Sequence, residues 1–407
     1  MARNLQLYVH IPFCMKKCSY CDFLSFASDE RTQLAYADAL IKEIELYGPQ
    51  MMDYVVNTIY IGGGTPTWLD ENKMVEILDA IYTYFNVSQD AEVSMECNPG
   101  TVTAGKLEKY KRAGVNRLSI GLQSADDDEL KLLGRIHTFE QFVKTYELAR
   151  NAGYANINVD LISGIPYQTA EKFLHTLQKV VRLKPDHISA YSLIIEKGTP
   201  FYEVYKFDAV KQEAGMQTEV LPTEDEVYRI TKLTQQFLAQ AGYEQYEISN
   251  FAQPGYECEH NIGYWTRADY LGLGLGAASL VDNVRYTNTT DIHQYMDETM
   301  HMQMIDFSEE NGKSPNTVLG TNIHIEANAV SRKAQMEEFM FLGLRMNQGV
   351  TREQFQKTFG IPIDGIYKNA LEHLKEEGML DTAGGRIALT EKGQDLSNYA
   401  LSKFLVD

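Results

Sequence analysis

Three of the five cysteines in this 407-residue chain fall within eight residues, at Cys14, Cys18 and Cys21, in a C-x3-C-x2-C pattern. The pattern begins just after an apolar, strand-like run that ends at Pro12, so the thiols sit on a loop. Their spacing matches neither the C-x2-C pairs of zinc sites nor the four-cysteine pattern of ferredoxins. If three thiolates hold a cubane 4Fe-4S cluster, one iron lacks a protein ligand and stays open to a substrate or cofactor. The alternative is a structural zinc ion with His10 as fourth ligand, for which the imidazole must turn from its strand toward the loop. Cys97 and Cys258 have no neighbours at ligand spacing and read as small core residues.

Other polar residues with chemical potential recur at the ends of apolar runs. Runs at 6–12, 56–62, 92–97, 117–123, 156–162 and 187–193 are β-branched or aromatic, and each gap leaves room for a crossover helix. Helical spacing predicts helices over 30–47 and 138–151, the latter ending before Gly153. The expected fold is α/β, a partial (β/α)6 TIM-like barrel. In a parallel barrel the loops after the strands form the active face. There the sequence puts the cysteine loop with Tyr20, then Gly62-Gly63-Gly64-Thr65-Pro66-Thr67, then Glu96 and Asn98, then Gln123 and Ser124, with Asp160, Ser163 and Ser192 beyond.

The triple glycine lets backbone groups touch a ligand, or marks a tight turn; it lacks the lysine of a P-loop and the second half of a dinucleotide fingerprint. Glu96 and Asp160 lie in or beside apolar strands and are costly if buried unpaired, so each should meet a cation or ribose hydroxyls. Arg135 is suited to a carboxylate. A ligand with an amino acid end and a ribose satisfies all three.

Past residue 250 the pattern changes. Residues 244–248 suggest one more strand, and a Gly- and Tyr-rich stretch carries His260-Asn261-Ile262-Gly263-Tyr264-Trp265. From spacing alone His260 reads as a hydrogen-bonded loop histidine beside a core Trp. The alternation of Gly272, Gly274 and Gly276 suits close approach of a ligand or close strand packing. Residues 296–324 are poorly periodic. From 332 onward three helical patterns precede a hairpin at 384–389, the order of a winged helix. The expected division is a barrel over 1–250, a connector over 251–330 and a winged-helix-like domain over 331–407.

Composition bounds the function. Lys and Arg number 37 against 56 Asp and Glu, a net charge of −19, which disfavours nucleic acid and anionic lipid as partners. Hydrophobic content of 44% fits a globular protein. An odd cysteine count argues against a secreted disulfide framework, and neither a signal peptide nor a membrane span is legible, so the chain reads as cytoplasmic.

Cys14-x3-Cys18-x-Tyr20-Cys21, with an aromatic before the third cysteine, resembles the signature of the radical S-adenosylmethionine superfamily. The resemblance implies that the aminoacyl end of S-adenosylmethionine chelates the open iron, and that a reduced cluster cleaves the sulfonium to methionine and a deoxyadenosyl radical. Within the superfamily nearly the whole chain is similar to the family of oxygen-independent coproporphyrinogen III dehydrogenases and haem chaperones. The landmarks are Tyr8-Val9-His10-Ile11-Pro12-Phe13-Cys14, the 62–67 run, Glu96-Cys97-Asn98-Pro99, Gly121-Leu122-Gln123-Ser124, Asp160-Leu161-Ile162-Ser163-Gly164-Ile165-Pro166 and the C-terminal domain.

Carried over, Tyr8, Gly63, Gly64, Thr65, Glu96, Gln123, Arg135 and Asp160 would contact S-adenosylmethionine, with Tyr20 near the adenine or a second cofactor molecule. Phe23 stands where the dehydrogenases carry a fourth cysteine, and their long N-terminal extension has no counterpart before Cys14. The H-N-x-x-Y-W motif instead resembles the chaperones, and implies His260 as a haem ligand. The function so implied is to bind haem and pass it to apo-haem proteins, membrane-associated respiratory enzymes among them, with an electron donor for the cluster. The alternative is oxidative decarboxylation of coproporphyrinogen III.

Overall fold

The computed structural model describes residues 3–301, 305–306, 319–320 and 323–405. All six expected parallel strands form: β1 (Arg3–Ile11), β2 (Tyr54–Gly63), β3 (Val87–Cys97), β4 (Arg117–Gln123), β5 (Asn156–Ser163) and β6 (His187–Ser192) pair in chain order. Their residues alternate with the period of two that a pleated strand imposes. Leu5, Leu7, Val9 and Ile11 of β1, like Leu118, Ile120 and Leu122 of β4, are buried in the outer core. The alternate set, including Tyr8, Tyr60, Glu96, Arg117, Ser119 and Asp160, borders cavities inside the barrel. The interior is therefore a polar shaft, unlike the apolar fill of a closed barrel.

Helices α1 (Glu30–Tyr47), α2 (Glu71–Tyr84), α3 (Ala104–Arg112), α4 (Asp127–Leu132), α5 (Phe139–Asn151) and α6 (Ala170–Val181) connect the strands. Each starts on an Asp or Thr whose side chain accepts a backbone N–H, at 29, 70, 103, 126, 138 and 169, which stabilises a helix start by about 1 kcal/mol. Beyond β6 come α7 (Pro200–Glu213), α8 (Glu224–Gln240) and the short antiparallel strands β7 (Glu244–Gln245) and β8 (Asn250–Ala252).

The stretch read as a connector does more than connect. After α9 (Glu259–Trp265), β9 (Tyr270–Leu273) runs parallel to β1, and β10 (Ala278–Val281), β11 (Val284–Asn288) and the strand His324–Ala329 extend that edge. With β9 on one side of β1 and β8 beyond β6, the sheet stays open. Helix α10 (Ile292–Met300) follows β11, and most of the poorly periodic segment after it lies outside the described residues. The glycine alternation proves to be packing: a Cβ on Gly272 would stand 2.3 Å from the Ala278 carbonyl oxygen, and one on Gly274 would stand 2.5 Å from the Tyr36 hydroxyl.

The C-terminal helices Arg332–Gly343, Arg352–Phe359 and Asp364–Glu376, with a small three-stranded sheet, enclose a separate core around Met340, Phe355, Leu374 and Ile387. This unit meets the barrel through Glu338, which accepts from Arg267 at 2.7 Å and Arg285 at 3.0 Å, and through Arg345 stacked 4.5 Å from the Trp265 ring centre. No helix among the described residues is long and apolar enough to cross a membrane.

Glu43 of α1 ties the β9 edge to the barrel: Gly274 N–H, Asn288 Nδ2 and the Tyr295 hydroxyl all donate to its carboxylate. Burial pushes this carboxyl up to about 7. A raised folded value means that the native state holds the proton more tightly. That contribution to stability is complete below pH ~4.5 and is lost as pH rises through about 7. Measured against Glu43→Gln by denaturant unfolding, the wild type should lose up to about 3 kcal/mol relative to the variant across this window. A pH-independent difference would show that Glu43 does not titrate there.

Candidate functional site

The loop after β1 is pinned at both ends. Phe26 N–H donates to the Pro12 carbonyl and Cys14 N–H to that of Phe26, while Ser19 bonds Leu133 and Phe201 through its backbone. Tyr20 meets the Phe201 ring edge-on at 6.4 Å. Cys14, Cys18 and Cys21 are free thiols, partly buried on one wall of a cavity of about 430 Å³. Burial pushes the Cys21 thiol up.

A chain of polar contacts links two of the sulfurs. The Thr65 hydroxyl donates to Cys14 Sγ at 3.6 Å and accepts from Asn98 Nδ2 at 2.6 Å. Arg135 donates to Asn98 Oδ1 at 2.6 Å, to the Gly121 carbonyl at 2.7 Å and to Cys18 Sγ at 3.7 Å. Donors aimed at cluster sulfurs are among the levers that set iron–sulfur potentials.

Gly63 and Gly64 close the end of β2 against β1. Gly63 has φ +113°, and a Cβ there would lie 2.5 Å from the His10 ring. Its N–H donates to Glu96 Oε2 at 3.1 Å, and the Tyr60 hydroxyl donates to Oε1 at 3.2 Å. Burial, and secondarily the charge of Asp160, pushes the Glu96 carboxyl up to about 7. Burial also raises Asp160, against donation from Ser119 and Asn158, both at 2.8 Å. Gln123 ends β4 with φ +74°, a conformation that costs a non-glycine residue energy and is common at ligand sites. Two buried carboxylates awaiting a cation or hydroxyls, an Arg135 Nε buried without a partner, and three thiols on one wall suit a cluster with S-adenosylmethionine upon it.

Thus Tyr20, Gly63, Gly64, Thr65, Glu96, Gln123, Arg135 and Asp160 share one cavity with the cysteines. Tyr8 does not: it borders a second, deeper cavity, and its hydroxyl hydrogen-bonds His10 Nδ1 at 2.9 Å. His10 Nε2 bonds the Leu24 carbonyl at 2.8 Å, so neither ring nitrogen is available and the His10 zinc set is not formed. Among the described residues no three His, Cys, Asp or Glu side chains are grouped to hold a single metal ion. A cubane asks for something different, one thiolate at each of three irons.

His260, in α9, borders the same second cavity as Tyr8. Glu92 accepts the N–H groups of Glu259 and His260 at 3.1 and 3.2 Å, seating the helix start beneath the barrel. The imidazole is 2% exposed and stacks on Tyr60 at 5.2 Å. It bonds the Thr58 hydroxyl at 2.7 Å and that of Tyr264 at 3.1 Å. Burial, and secondarily Arg117, lowers it to about 3, so it is neutral. The adjoining cavity of about 140 Å³ has no room for a macrocycle. Because α9 packs inward against the strands, His260 and Tyr264 face this cavity while Trp265 lies against Arg345. Asn98, noted only as a polar strand-end residue, and Arg117, not singled out at all, are the polar residues that sequence reasoning missed. Their signal was a polar side chain in register with the inward set of an apolar strand.

A half-barrel of parallel strands with three thiols after the first is the architecture of the radical S-adenosylmethionine superfamily, and residues 8–180 match the Radical SAM superfamily model. Residues 330–396 match the HemN C-terminal domain. The chain belongs to the haem chaperone HemW family. It is 34% identical over 399 residues to the haem chaperone HemW of Bacillus subtilis (strain 168), covering 98% of each chain. It is also 34% identical over 406 residues to that of Escherichia coli (strain K12), covering 99% of this chain and 98% of that one. A solved structure of coproporphyrinogen III oxidase (HemN) from Escherichia coli, described as a radical SAM enzyme, has a TM-score of 0.79 at 25% identity, over 99% of this chain and 90% of that one.

Proposed function

We propose that this protein is a haem chaperone, which holds haem and passes it to apo-haem proteins and uses a 4Fe-4S cluster with S-adenosylmethionine. The observation that carries this reading is end-to-end similarity to curated haem chaperones, together with eight inferred cofactor residues in the cavity that holds the three thiols. When bound, the cluster would supply one-electron chemistry at the sulfonium.

The chain's own residues bind and orient. Cys14, Cys18 and Cys21 would hold the irons, and Thr65 and Arg135 donate to two of the sulfurs. Glu96 and Asp160 would receive the ligand's cationic and hydroxyl groups, and Gly63 and Gly64 let backbone approach it. Recipients of the haem would include membrane-associated respiratory enzymes. A cytoplasmic reductant would feed the cluster, a compartment that suits five free thiols. Phe23, 63% exposed at the cavity rim where the dehydrogenases carry a cysteine, weighs against coproporphyrinogen chemistry.

Anaerobically reconstituted protein should bind haem tightly and transfer it to an apo-haem protein, while releasing no carbon dioxide from coproporphyrinogen III with reductant and S-adenosylmethionine present. Stoichiometric carbon dioxide release would reject the chaperone-only reading.

Glu96 gives a separate handle. A cationic ligand selects its ionised form, so S-adenosylmethionine affinity should rise as pH passes through about 7 and level off above it. Glu96→Gln should bind roughly tenfold more weakly and lose that pH step. An unaltered step in the variant would assign the titration to another group.

A further inference from the structure

Arg117 opens β4, deep in the barrel, and is 2% exposed. An arginine keeps its charge in a protein interior and offers five N–H donors. One of them is used: Nη1 donates to Ser94 Oγ at 3.3 Å, while Nε is buried without a partner. The carboxylates that face the guanidinium are engaged elsewhere. Glu92 accepts from the α9 backbone and the Cys258 thiol, and Asp160 from Ser119 and Asn158. The remaining neighbours add no negative charge. Burial keeps His187 and His260 neutral and pushes the Cys258 thiol up to about 12; the hydroxyls of Tyr60 and Tyr246 are raised by burial as well. Burial disfavours the guanidinium's charge and Glu92 favours it through space, so Arg117 stays charged while its only hydrogen-bond acceptor among the described residues is the neutral Ser94 hydroxyl.

The guanidinium borders the 140 Å³ cavity with Asn158, His187, Ser189, Asn250 and Tyr264. This cavity continues the upper one, since Tyr60, Ser119, Asp160 and Tyr191 line both. We infer that it is an anion site, in which Arg117 binds a small carboxylate of formate or acetate size. A planar carboxylate matches the guanidinium fork in two parallel hydrogen bonds. The site lies below the proposed cofactor, and its test reads anion binding alone, so its outcome is separate from that of the chaperone reading. His260, Asn261 and Tyr264 of α9 line the same space, so a bound anion also removes the unpaired charge beneath that helix.

Equilibrium dialysis of cluster-loaded protein with radiolabelled formate, in the presence of S-adenosylmethionine to cover Arg135, tests this. The expected result is one saturable site per chain, competed by acetate and weakened roughly tenfold or more by Arg117→Gln. Absence of saturable binding by the wild type, or equal binding by the variant, overturns it. Should the variant fail to fold, bromide-soaked crystals of the wild type decide. An anomalous peak beside the guanidinium supports the site, and water alone at that position overturns it.

Discussion

Cys14→Ala should take the protein from about four irons per chain to almost none when reconstituted without air, and S-adenosylmethionine binding should fall with it. The cluster needs a thiolate at each of three irons, and neither other cysteine is a ready replacement: Cys97 borders the upper cavity but is 3% exposed, donates to the Asn98 carbonyl and has its thiol pushed up to about 12 by burial, while Cys258 is 4% exposed and lines the lower cavity with its thiol on Glu92. The barrel should survive. Cys14 is only partly buried, and its loop is held by backbone bonds from Phe26, Ser19 and Phe201 that the substitution leaves in place. Unfolding of the cluster-free variant should lie within about 1 kcal/mol of the cluster-free wild type. The comparison must be made between cluster-free forms, because a ligand that binds only the native state adds its own stability. Full iron content in the variant would remove Cys14 from the ligand set, and loss of the circular dichroism signal would show that the loop carries the fold.

How much of this could be read beforehand depended on the range of the interactions. The six strands were legible as short β-branched or aromatic runs with room for a crossover helix between them, and α1 by its apolar residues at helical spacing. The mouth was legible too, since parallel strands joined by helices bring their carboxyl ends together whatever the loops contain. Sequence alone left undecided which face of the alternation was inside, because both faces of such a strand are buried. The structure gives the apolar set to the helices and the polar set to the shaft.

Long-range docking was the other blind spot. Nothing local to His260-Asn261 marks Glu92, 168 positions away from His260, as the acceptor for that helix start, or Thr58 as the partner of the imidazole. Nor could spacing reveal that Trp265 turns to Arg345 in the C-terminal unit while His260 turns inward. The motif therefore reads as one contiguous surface, whereas α9 divides it between two neighbours.

That division sets the sign of the last prediction. If His260 is the haem ligand, it ligates only in the fraction of molecules in which an imidazole nitrogen has left its partner, and the apparent dissociation constant is the intrinsic one divided by that fraction. His260→Ala should weaken haem binding and alter the Soret band while the cluster stays intact. It should also cost roughly 2 kcal/mol of stability, because the Thr58 and Tyr264 hydroxyls lose a buried partner and a void opens beside Tyr60. A structural histidine alone would produce that stability loss, so the decisive variant is Tyr264→Phe. It keeps the ring and removes the hydroxyl that holds Nε2, which releases about 1 kcal/mol of restraint and should raise apparent haem affinity roughly fivefold. Opposite signs in the two variants, read by haem titration, are what ligation after release of the ring requires. Equal haem affinity in both variants and the wild type would leave His260 as the pin that seats α9 in the barrel and nothing more.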